Sequence, residues 1–333
     1  MTQQKMRAVV GEKLGSPENY ALVEVAVPTP GPGEIQMQNL VSGMGYVDAL
    51  VARGLYQVKP DVPYCPGLEF AGRVTALGSG VDDFVVGDLV TASGFGGGLA
   101  EFSVVAAKAA ARIPASLDLR AAAGFIVNYI TAWHGLLDRG ALQEGETVLV
   151  LGAAGGTGIA AIQVARMAGA RVIAGASSAA KREYAEQHGA HMSIDYLADD
   201  WRSDLKAMTD GRGVDVVFDP VGGDLLEPAF RSLAWRGRHL VVGFAGGDIP
   251  KLPVNLALLK GAALLGVDYR QFGSVYEQAA SFEIRNKLFQ AVEEGRLQPA
   301  VGQSFPLTDF RDAMTLAGQR DGLGKTVVDI AGE

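Results

Sequence analysis

Residues Val148-Leu-Val-Leu-Gly152-Ala-Ala-Gly155-Gly156-Thr-Gly158-Ile159 decide the fold of this chain. Apolar residues typical of a buried strand lead into a loop rich in glycine, and an apolar helical pattern follows. A helix that begins this way presents free backbone N–H groups and the positive end of its dipole, which together bind phosphate. Gly155, Gly156 and Gly158 have no Cβ that would keep a pyrophosphate away. The spacing is not the standard G-x-G-x-x-G, so the turn alone could also be a plain strand-to-helix connection.

The segments around this stretch favour the binding interpretation, because apolar strands alternate there with helices. Strands are predicted at 147–152, 171–176, 191–195, 214–221, 239–244 and 263–267. Helices are predicted at 121–137, 158–168, 180–188, 201–209, 225–234 and 277–295. Such an alternation predicts an α/β fold with a parallel sheet covered on both faces, and six strands match a doubly wound (Rossmann) dinucleotide-binding domain.

The first 120 residues have a different pattern that is rich in strands. Strands are predicted at 6–10, 20–27, 34–41, 68–77, 88–92 and 100–105. The turn Pro28-Thr-Pro-Gly-Pro-Gly33 cannot be helical, and the short gaps between the strands predict a curled or barrel-like β domain. A chain of 333 residues ordinarily forms two domains. The β-like tail after residue 295 is expected to rejoin the first of them.

Composition argues against several classes of protein. The net charge is -8 and the basic residues form no stripe, so nucleic acid is not an expected partner. The single cysteine, Cys65, excludes an internal disulfide and a cysteine-rich zinc site, and the four histidines do not group as metal ligands. The longest uncharged run, 147–165, is interrupted by glycines, and the N-terminus lacks the apolar stretch of a signal peptide. We therefore expect a cytoplasmic protein without membrane partners or a bound metal.

The end of the second predicted strand of the α/β domain indicates which dinucleotide binds. Sites selective for NAD place an acidic residue here to accept from the ribose 2′-OH. This chain instead has Ser177, Ser178 and Lys181, which would bind a 2′-phosphate that a carboxylate would repel. The residues favour NADPH over NADH, although Lys181 could also be an ordinary solvated residue of the first helical turn.

Short motifs along nearly the whole chain resemble the zinc-independent quinone oxidoreductase (zeta-crystallin-like) branch of the medium-chain dehydrogenase/reductase superfamily. Each motif is weakly specific by itself, and together they are specific. They are Pro28-x-Pro-Gly-Pro-Gly-Glu34, Pro66-Gly-Leu-Glu-Phe-Ala-Gly72, Val86-Gly-Asp88-Leu-Val90, Ala154-Gly-Gly-Thr-Gly158, Phe218-Asp-Pro-Val-Gly222, Gly243-Phe-Ala-Gly-Gly247 and Gly324-Lys-Thr-Val-Val328.

The resemblance implies a GroES-like β-barrel catalytic domain at 1–125 with 270–333, and a Rossmann NADPH-binding domain at 126–269. It also implies an active site in the cleft between them and a homodimer formed through an edge strand. Zinc alcohol dehydrogenases have Gly-His-Glu where this chain has Gly67-Leu68-Glu69, so no catalytic zinc is expected. Without a Lewis acid, hydride transfer to a quinone or an activated carbon–carbon double bond is the expected reaction.

The resemblance also implies which residues bind the cofactor, although ordinary packing remains an alternative for each. Tyr196 matches a position near the adenosine phosphate, and Gly243, Phe244 and Ala245 match positions near the nicotinamide ribose. The full expected set is Thr131, Ala154, Gly155, Gly156, Thr157, Gly158, Ser177, Ser178, Lys181, Tyr196, Gly243, Phe244, Ala245 and Lys325, with Lys325 closing the cleft from the tail.

The expected substrate side is the stretch from Ser42 to Tyr56. Tyr56 and Tyr46 are the catalytic candidates, as donors to the substrate oxygen, and Tyr129 is an alternative. The family usually has Asn where this chain has Gly45, which leaves the substrate open. Three alternatives therefore stand beside quinone reduction: an enone or alkenal reductase, an enoyl-CoA reductase, and a nucleotide-binding protein with little catalysis.

Overall fold

A computed structural model describes residues 4–319 and 321–330, and they divide into two units. The first unit comprises the described residues up to Val127 together with those from Val301 onward, and the second is Asn128–Ala300. The sequence predicted that the chain returns to the catalytic domain at residue 270. In the structure, residues 270–300 belong to the second unit.

Antiparallel strands dominate the first unit. A two-stranded sheet pairs β1 with β2, and a larger sheet has the order β14-β15-β3-β4-β5-β7, with β6 pairing to β3. This strand-rich architecture is the predicted one. The strands are β1 (Lys5–Gly11), β2 (Tyr20–Ala26), β3 (Glu34–Met44), β4 (Glu69–Leu77), β5 (Leu89–Ser93), β6 (Phe102–Ala106), β7 (Ala110–Arg112), β14 (Val301–Pro306) and β15 (Lys325–Asp329).

Three helices of the first unit are α1 (Tyr46–Ala52), α2 (Leu119–Ala122) and α10 (Phe310–Gly318). The tail was predicted to be β-like, but it also contains a helix. Phe310, Ala313, Met314 and Ala317 recur at helical spacing and are buried in one core cluster. This buried face is the reason that the segment between β14 and β15 is a helix.

The second unit is the doubly wound domain that the sequence predicts. All its strands pair in parallel, in the order β10-β9-β8-β11-β12-β13. Those strands are β8 (Thr147–Leu151), β9 (Arg171–Ala176), β10 (Met192–Asp195), β11 (Val214–Asp219), β12 (Leu233–Val241) and β13 (Ala263–Gly266). The strand order reverses between β8 and β11, and such a switch point is where sheets of this kind bind ligands.

Helices cover this sheet: α3 (Ile126–Trp133), α4 (Gly156–Met167), α5 (Ala179–Gln187), α6 (Trp201–Met208), α7 (Leu226–Arg231), α8 (Asn255–Lys260) and α9 (Gln278–Glu293). One helix was predicted at 121–137. The structure instead has α2 and α3, with Gly124 between them, and a π-helical segment after α3. No helix of the described residues is both long and apolar enough to cross a membrane.

Residues 270–300 join the second unit through specific contacts. The backbone N–H of Gln298 donates to Gln163 Oε1 at 3.0 Å, and Gln163 Nε2 donates to the Gln298 carbonyl at 2.8 Å. The Phe272 ring stacks on His134, with the ring centroids 3.9 Å apart. These contacts join the chain on either side of α9 to α4 and to the π-helical segment that follows α3. The sequence pattern did not reveal them.

Candidate functional site

The glycine loop follows β8 and leads directly into α4. Gly155 caps the helix with extended backbone angles, and its N–H donates to the Gly152 carbonyl at 3.1 Å. The N–H groups of Gly156, Thr157 and Gly158 lie in the first turn, where a helix has no internal acceptors for them. A Cβ at Gly158 would lie 2.4 Å from the Gly152 carbonyl oxygen, so only glycine fits there. The loop therefore leaves N–H donors for an anion and has no room for a side chain at Gly158.

Ser177, Ser178 and Lys181 lie together where β9 ends and α5 begins. Ser178 caps α5, and its Oγ accepts from the Lys181 backbone N–H at 3.3 Å. The Lys181 ammonium donates to Ser177 Oγ, also at 3.3 Å. The carboxylate of Asp195, at the end of β10, forms an ion pair with Arg182 at 2.8 Å. The arrangement brings two hydroxyls and one ammonium together within five residues at the start of α5.

The remaining predicted cofactor residues of this unit follow strands of the parallel sheet or lie on helices. Tyr196 follows β10 and packs against the core cluster that contains Trp201. Gly243, Phe244 and Ala245 follow β12, and Thr131 is buried on α3. Thr157 Oγ1 donates to Asn128 Oδ1 at 2.8 Å, so this hydroxyl is already engaged. Tyr196 and Gly243–Ala245 thus lie at the carboxyl ends of strands, while Thr131 lies on a helix. The contact of these residues with a cofactor stays a prediction.

A buried carboxylate, Asp219, organises the loop between β11 and α7. Its Oδ1 accepts from the backbone N–H groups of Val221 and Gly222, both at 2.8 Å. Its Oδ2 lies 3.0 Å from Nε2 of His239, which is fully buried on β12. Its backbone carbonyl accepts from Val242 at 2.9 Å. Asp219 therefore fixes both the Pro220–Gly222 turn and the start of the segment that follows β12.

Two further contacts join these same loops. The N–H of Ala245 donates to the Pro220 carbonyl at 3.1 Å, and that of Gly246 to the Val221 carbonyl at 2.6 Å. A Cβ at Gly222, whose φ is +61°, would lie 2.9 Å from the Phe244 ring. Sequence reasoning considered His239 only as a metal ligand and as part of a strand. It did not pair His239 with Asp219, because their contact depends on the register that places Val217 opposite His239.

Three charged groups lie buried together in the first unit: Asp48 of α1, Glu69 at the start of β4 and Lys325 at the start of β15. Lys325 Nζ lies 3.5 Å from Glu69 Oε2. Strand β3 pairs with β4 on one side and with β15 on the other, so its end brings Glu69 and Lys325 together. Sequence reasoning placed Lys325 at the cofactor, and that role stays a prediction; within the described residues its ammonium contacts Glu69.

The carboxylates of this cluster also bind the backbone. Asp48 accepts from the N–H groups of Gly45 at 2.9 Å and Leu68 at 2.8 Å, and Glu69 Oε1 accepts from Val127 at 3.1 Å. Burial raises the pKa of both Asp48 and Glu69, and the Lys325 charge opposes that rise. The cluster thus binds backbone groups near the end of β3 and places three charged side chains close together there.

The tyrosines proposed as donors occupy different surroundings. Tyr46 is the first residue of α1 and is half-buried, and Tyr56 is half-buried beside the core cluster that contains α10. Tyr129 is buried, its hydroxyl donates to Gln163 Oε1 at 2.9 Å, and burial raises its pKa. Tyr129 therefore serves the core of the second unit, which leaves Tyr46 and Tyr56 as the candidates.

Comparison with known proteins defines the class. An alcohol dehydrogenase GroES-like domain matches residues 31–115, and a zinc-binding dehydrogenase domain matches residues 156–283. Together with the parallel sheet, these matches define a medium-chain dehydrogenase/reductase, an oxidoreductase, and they confirm the predicted fold class. Among the described residues, no group of three or more His, Cys, Asp or Glu side chains is placed to hold a metal ion.

Individual relatives narrow the class to one branch. Quinone oxidoreductase-like protein 2 of Bos taurus is 37% identical over 93% of this chain and 89% of its own. A quinone oxidoreductase of Pseudomonas aeruginosa is 33% identical, covering 94% and 96%. The structure of Escherichia coli quinone oxidoreductase complexed with NADPH has a TM-score of 0.88, with 28% identity and coverage of 97% and 99%. The chain belongs to the quinone oxidoreductase branch of this superfamily, as its motifs predicted.

Proposed function

We propose that this protein is an NADPH-dependent oxidoreductase that transfers hydride to quinones or to activated carbon–carbon double bonds, without zinc. The observation that carries the proposal is the loop Ala154–Gly158 at the start of α4, beside the serine and lysine cluster that follows β9. The Escherichia coli relative is described as a complex with NADPH, which supports the same cofactor here.

The residues of the second unit fit this dinucleotide. Gly156, Thr157 and Gly158 would bind the pyrophosphate through backbone N–H groups, because the helix dipole adds to their attraction. Ser177, Ser178 and Lys181 would bind the 2′-phosphate. When bound, the dinucleotide supplies a hydride equivalent. The segment Gly243–Ala245 would border the nicotinamide side, held in place by the hydrogen bonds to Pro220 and Val221.

The first unit does not fit a catalytic zinc. Leu68 and Gly45, on either side of Asp48 in the hydrogen-bond network, carry no side-chain atom that could coordinate a metal. Both oxygens of Asp48 accept from backbone N–H groups, and Glu69 faces Lys325. A substrate that is already electrophilic needs no Lewis acid, which is why quinones and enones are the proposed acceptors. Tyr56 and Tyr46 are the proposed donors to the substrate oxygen.

The test combines binding and turnover. NADPH and NADH are titrated by fluorescence, and NADPH oxidation is then followed with benzoquinone, naphthoquinone, phenanthrenequinone, an alkenal, a cyclic enone and crotonyl-CoA. We expect preference for NADPH and turnover of a quinone or an enone. Turnover of crotonyl-CoA alone would identify an enoyl-CoA reductase, and binding without any turnover would identify a nucleotide-binding protein.

Two variants locate the cofactor on the proposed residues. Gly158→Ala places a Cβ against the Gly152 carbonyl and should weaken NADPH binding at least about tenfold, while Gly94→Ala, which meets open space, should not. Lys181→Ala should reduce the preference for NADPH over NADH, whereas Lys206→Ala, an exposed lysine of α6, should leave it unchanged. If the Lys181 variant keeps the wild-type ratio of NADPH affinity to NADH affinity, that result would contradict the assigned 2′-phosphate site.

We also propose a homodimer formed through the β13 edge. Among the described residues, β13 pairs only with β12, so its other edge has unpaired backbone groups. Large apolar side chains are exposed nearby, including Leu264 on the strand and Leu258 and Leu259 on α8. Trp235 is also exposed and lies beside Gly261, directly after α8. A second copy, related by a two-fold axis, would pair the edge and cover these side chains.

Light scattering coupled to size-exclusion chromatography tests the dimer. The wild type should elute with twice the mass of one chain. Leu258→Glu combined with Leu264→Lys should give monomers, because it places charges in the covered surface, while Val85→Glu, at an exposed position of the first unit, should not. A monomeric wild type would contradict the proposal.

A further inference from the structure

Arg182 and Asp195 form an ion pair beside the residues proposed to bind the 2′-phosphate. Arg182 follows Lys181 near the start of α5, and Asp195 is the last residue of β10. Arg182 Nη1 is shielded from solvent and lies 2.8 Å from Asp195 Oδ2. Neither member of the pair belongs to the predicted cofactor-binding set, so the proposed function gives this ion pair no role.

The parallel pairing of β9 with β10 places Asp195 near the end of β9. Asp195 lies opposite Ala176, which directly precedes Ser177. Neighbouring strands lie about 4.8 Å apart, and consecutive Cα atoms lie about 3.8 Å apart. The Cα atoms of Asp195 and Ser177 are therefore within about 9 Å of each other. Asp195 thus belongs to the surroundings of the proposed phosphate site.

The turn after β10 uses the side chain of Asp195. Asp195 Oδ1 accepts from the backbone N–H of Leu197 at 3.0 Å, and its carbonyl accepts from that of Ala198 at 3.2 Å. The ring of Tyr196, within this turn, lies against β9, where a Cβ at Gly175 would be 3.3 Å from Tyr196 Cδ1. Because Tyr196 is itself a predicted cofactor residue, the turn helps to shape the site, and the carboxylate comes with it.

The charge of this carboxylate is unfavourable for a phosphate. A negative charge about 8 Å from one charge of a phosphate weakens its binding by about two- to thirtyfold, depending on the effective dielectric constant. A carboxylate in this region can also accept from the 2′-OH of NADH, which is the contact that NAD-selective sites use. Arg182 opposes both effects, because it neutralises the charge and contacts Oδ2 of Asp195 while the Leu197 N–H occupies Oδ1.

We propose that Arg182 is a specificity-determining residue that acts through Asp195: the ion pair cancels a negative charge next to the 2′-phosphate and so favours NADPH over NADH. This inference rests on the proposed function, and in particular on the 2′-phosphate site at Ser177, Ser178 and Lys181. Arg182 neutralises Asp195 rather than serving as a direct ligand of the phosphate. The turn after β10 thereby keeps its carboxylate, while the phosphate has a neutral pair beside it.

The dissociation constants of NADPH and NADH, measured by fluorescence titration at low ionic strength, test this role. Arg182→Met removes the positive charge and keeps much of the aliphatic part of the side chain. We expect its affinity for NADPH to fall at least about threefold, while its affinity for NADH stays the same or rises. Arg171→Met loses the same charge at the exposed amino end of β9, at the opposite edge of the sheet, and should leave both affinities unchanged.

The double variant Arg182→Met with Asp195→Asn separates this role from two others. Asparagine can still accept from the Leu197 N–H, so the turn remains while both charges of the pair are removed. We expect the double variant to recover the wild-type ratio of the two affinities, and Asp195→Asn alone to bind NADPH at least as tightly as the wild type. A direct ligand of the phosphate would leave the loss unrecovered, and a residue that only supports α5 would weaken both dinucleotides equally.

Salt provides a second measurement that a purely structural role would not change. The Debye length is about 10 Å at 0.1 M ionic strength, so the effect of Arg182→Met on the ratio should shrink as salt is added. A wild-type ratio in Arg182→Met, or a ratio that the double variant fails to recover, would overturn the role of Arg182 and leave the proposed function intact. A wild type without preference for NADPH would overturn the 2′-phosphate site and this role together.

Discussion

Replacement of Asp219 should uncouple the two loops that it joins, and its effect can be estimated from the structure. Asp219→Ala removes three hydrogen bonds, from Val221, Gly222 and His239, at 2.8, 2.8 and 3.0 Å. The residue is 1% exposed, so the donors that it leaves lie in a buried site. Hydrogen bonds to charged groups contribute about 1.5–3 kcal/mol each, and breaking a buried pair costs about 3–5 kcal/mol. We expect a loss of roughly 4 kcal/mol in the free energy of unfolding.

The assay can be confined to the second unit. All three tryptophans, Trp133, Trp201 and Trp235, lie within Asn128–Ala300, so their fluorescence follows the unfolding of this unit alone. With a urea dependence of about 2 kcal/mol per M, the midpoint should fall by about 2 M. Asp224→Ala, the same substitution at an exposed carboxylate of this unit, is the control and should leave the midpoint unchanged.

Asp219→Asn separates hydrogen-bond geometry from charge. Its amide oxygen can still accept from Val221 and Gly222, while its NH₂ group replaces the oxygen that faces His239. Its loss should be about 1 kcal/mol, clearly smaller than that of Asp219→Ala. Equal midpoints for wild type and Asp219→Ala would refute the reasoning, because three buried hydrogen bonds would then have no measurable effect.

Three further outcomes follow from the surroundings of single residues. Burial raises the pKa of the Cys65 thiol to about 12, so native protein at pH 8 should react with a disulfide reagent far more slowly than protein in guanidinium. Tyr129→Phe removes the hydrogen bond to Gln163 and should lower the free energy of unfolding of the second unit by about 1 kcal/mol, read by tryptophan fluorescence. The raised pKa of Glu69 means that folded protein binds this proton more tightly than unfolded protein. The stability of wild type relative to Glu69→Gln should therefore fall as pH rises above 4.5, the ordinary value for this carboxyl, in circular dichroism melts at several pH values.

The parallel sheet could be predicted from the sequence because its strands are buried on both faces. Residues 147–151 and 171–176 are mainly apolar and do not alternate with polar residues. Most observed strands of this sheet begin and end within a few residues of the predicted bounds. The exception is β12, which begins at Leu233, within the predicted helix at 225–234. Helix α1 was not predicted because its seven residues are too few to establish a helical period.

The candidate site was predictable only in part, for a physical reason. The residues proposed to bind the phosphates directly follow the ends of β8 and β9, so the local sequence was enough to suggest them. Lys325 and Glu69 are 256 positions apart, and only the pairing of β3 with both β4 and β15 brings them together. The Asp219–His239 contact likewise depends on strand register. Local patterns cannot supply contacts that arise from topology.

The buried charges of the first unit are more consistent with chemistry than with stability. Removing an ammonium and a carboxylate from water costs several kcal/mol, and apolar groups of similar volume are often equally or more stabilising. The ion pair of Lys325 with Glu69 is long, at 3.5 Å, so its attraction offsets that cost incompletely. We therefore expect three charges in this arrangement to lower the free energy of unfolding relative to an apolar cluster. Proteins retain such costs mainly at functional sites, which is consistent with the prediction that Lys325 is one of the cofactor-binding residues.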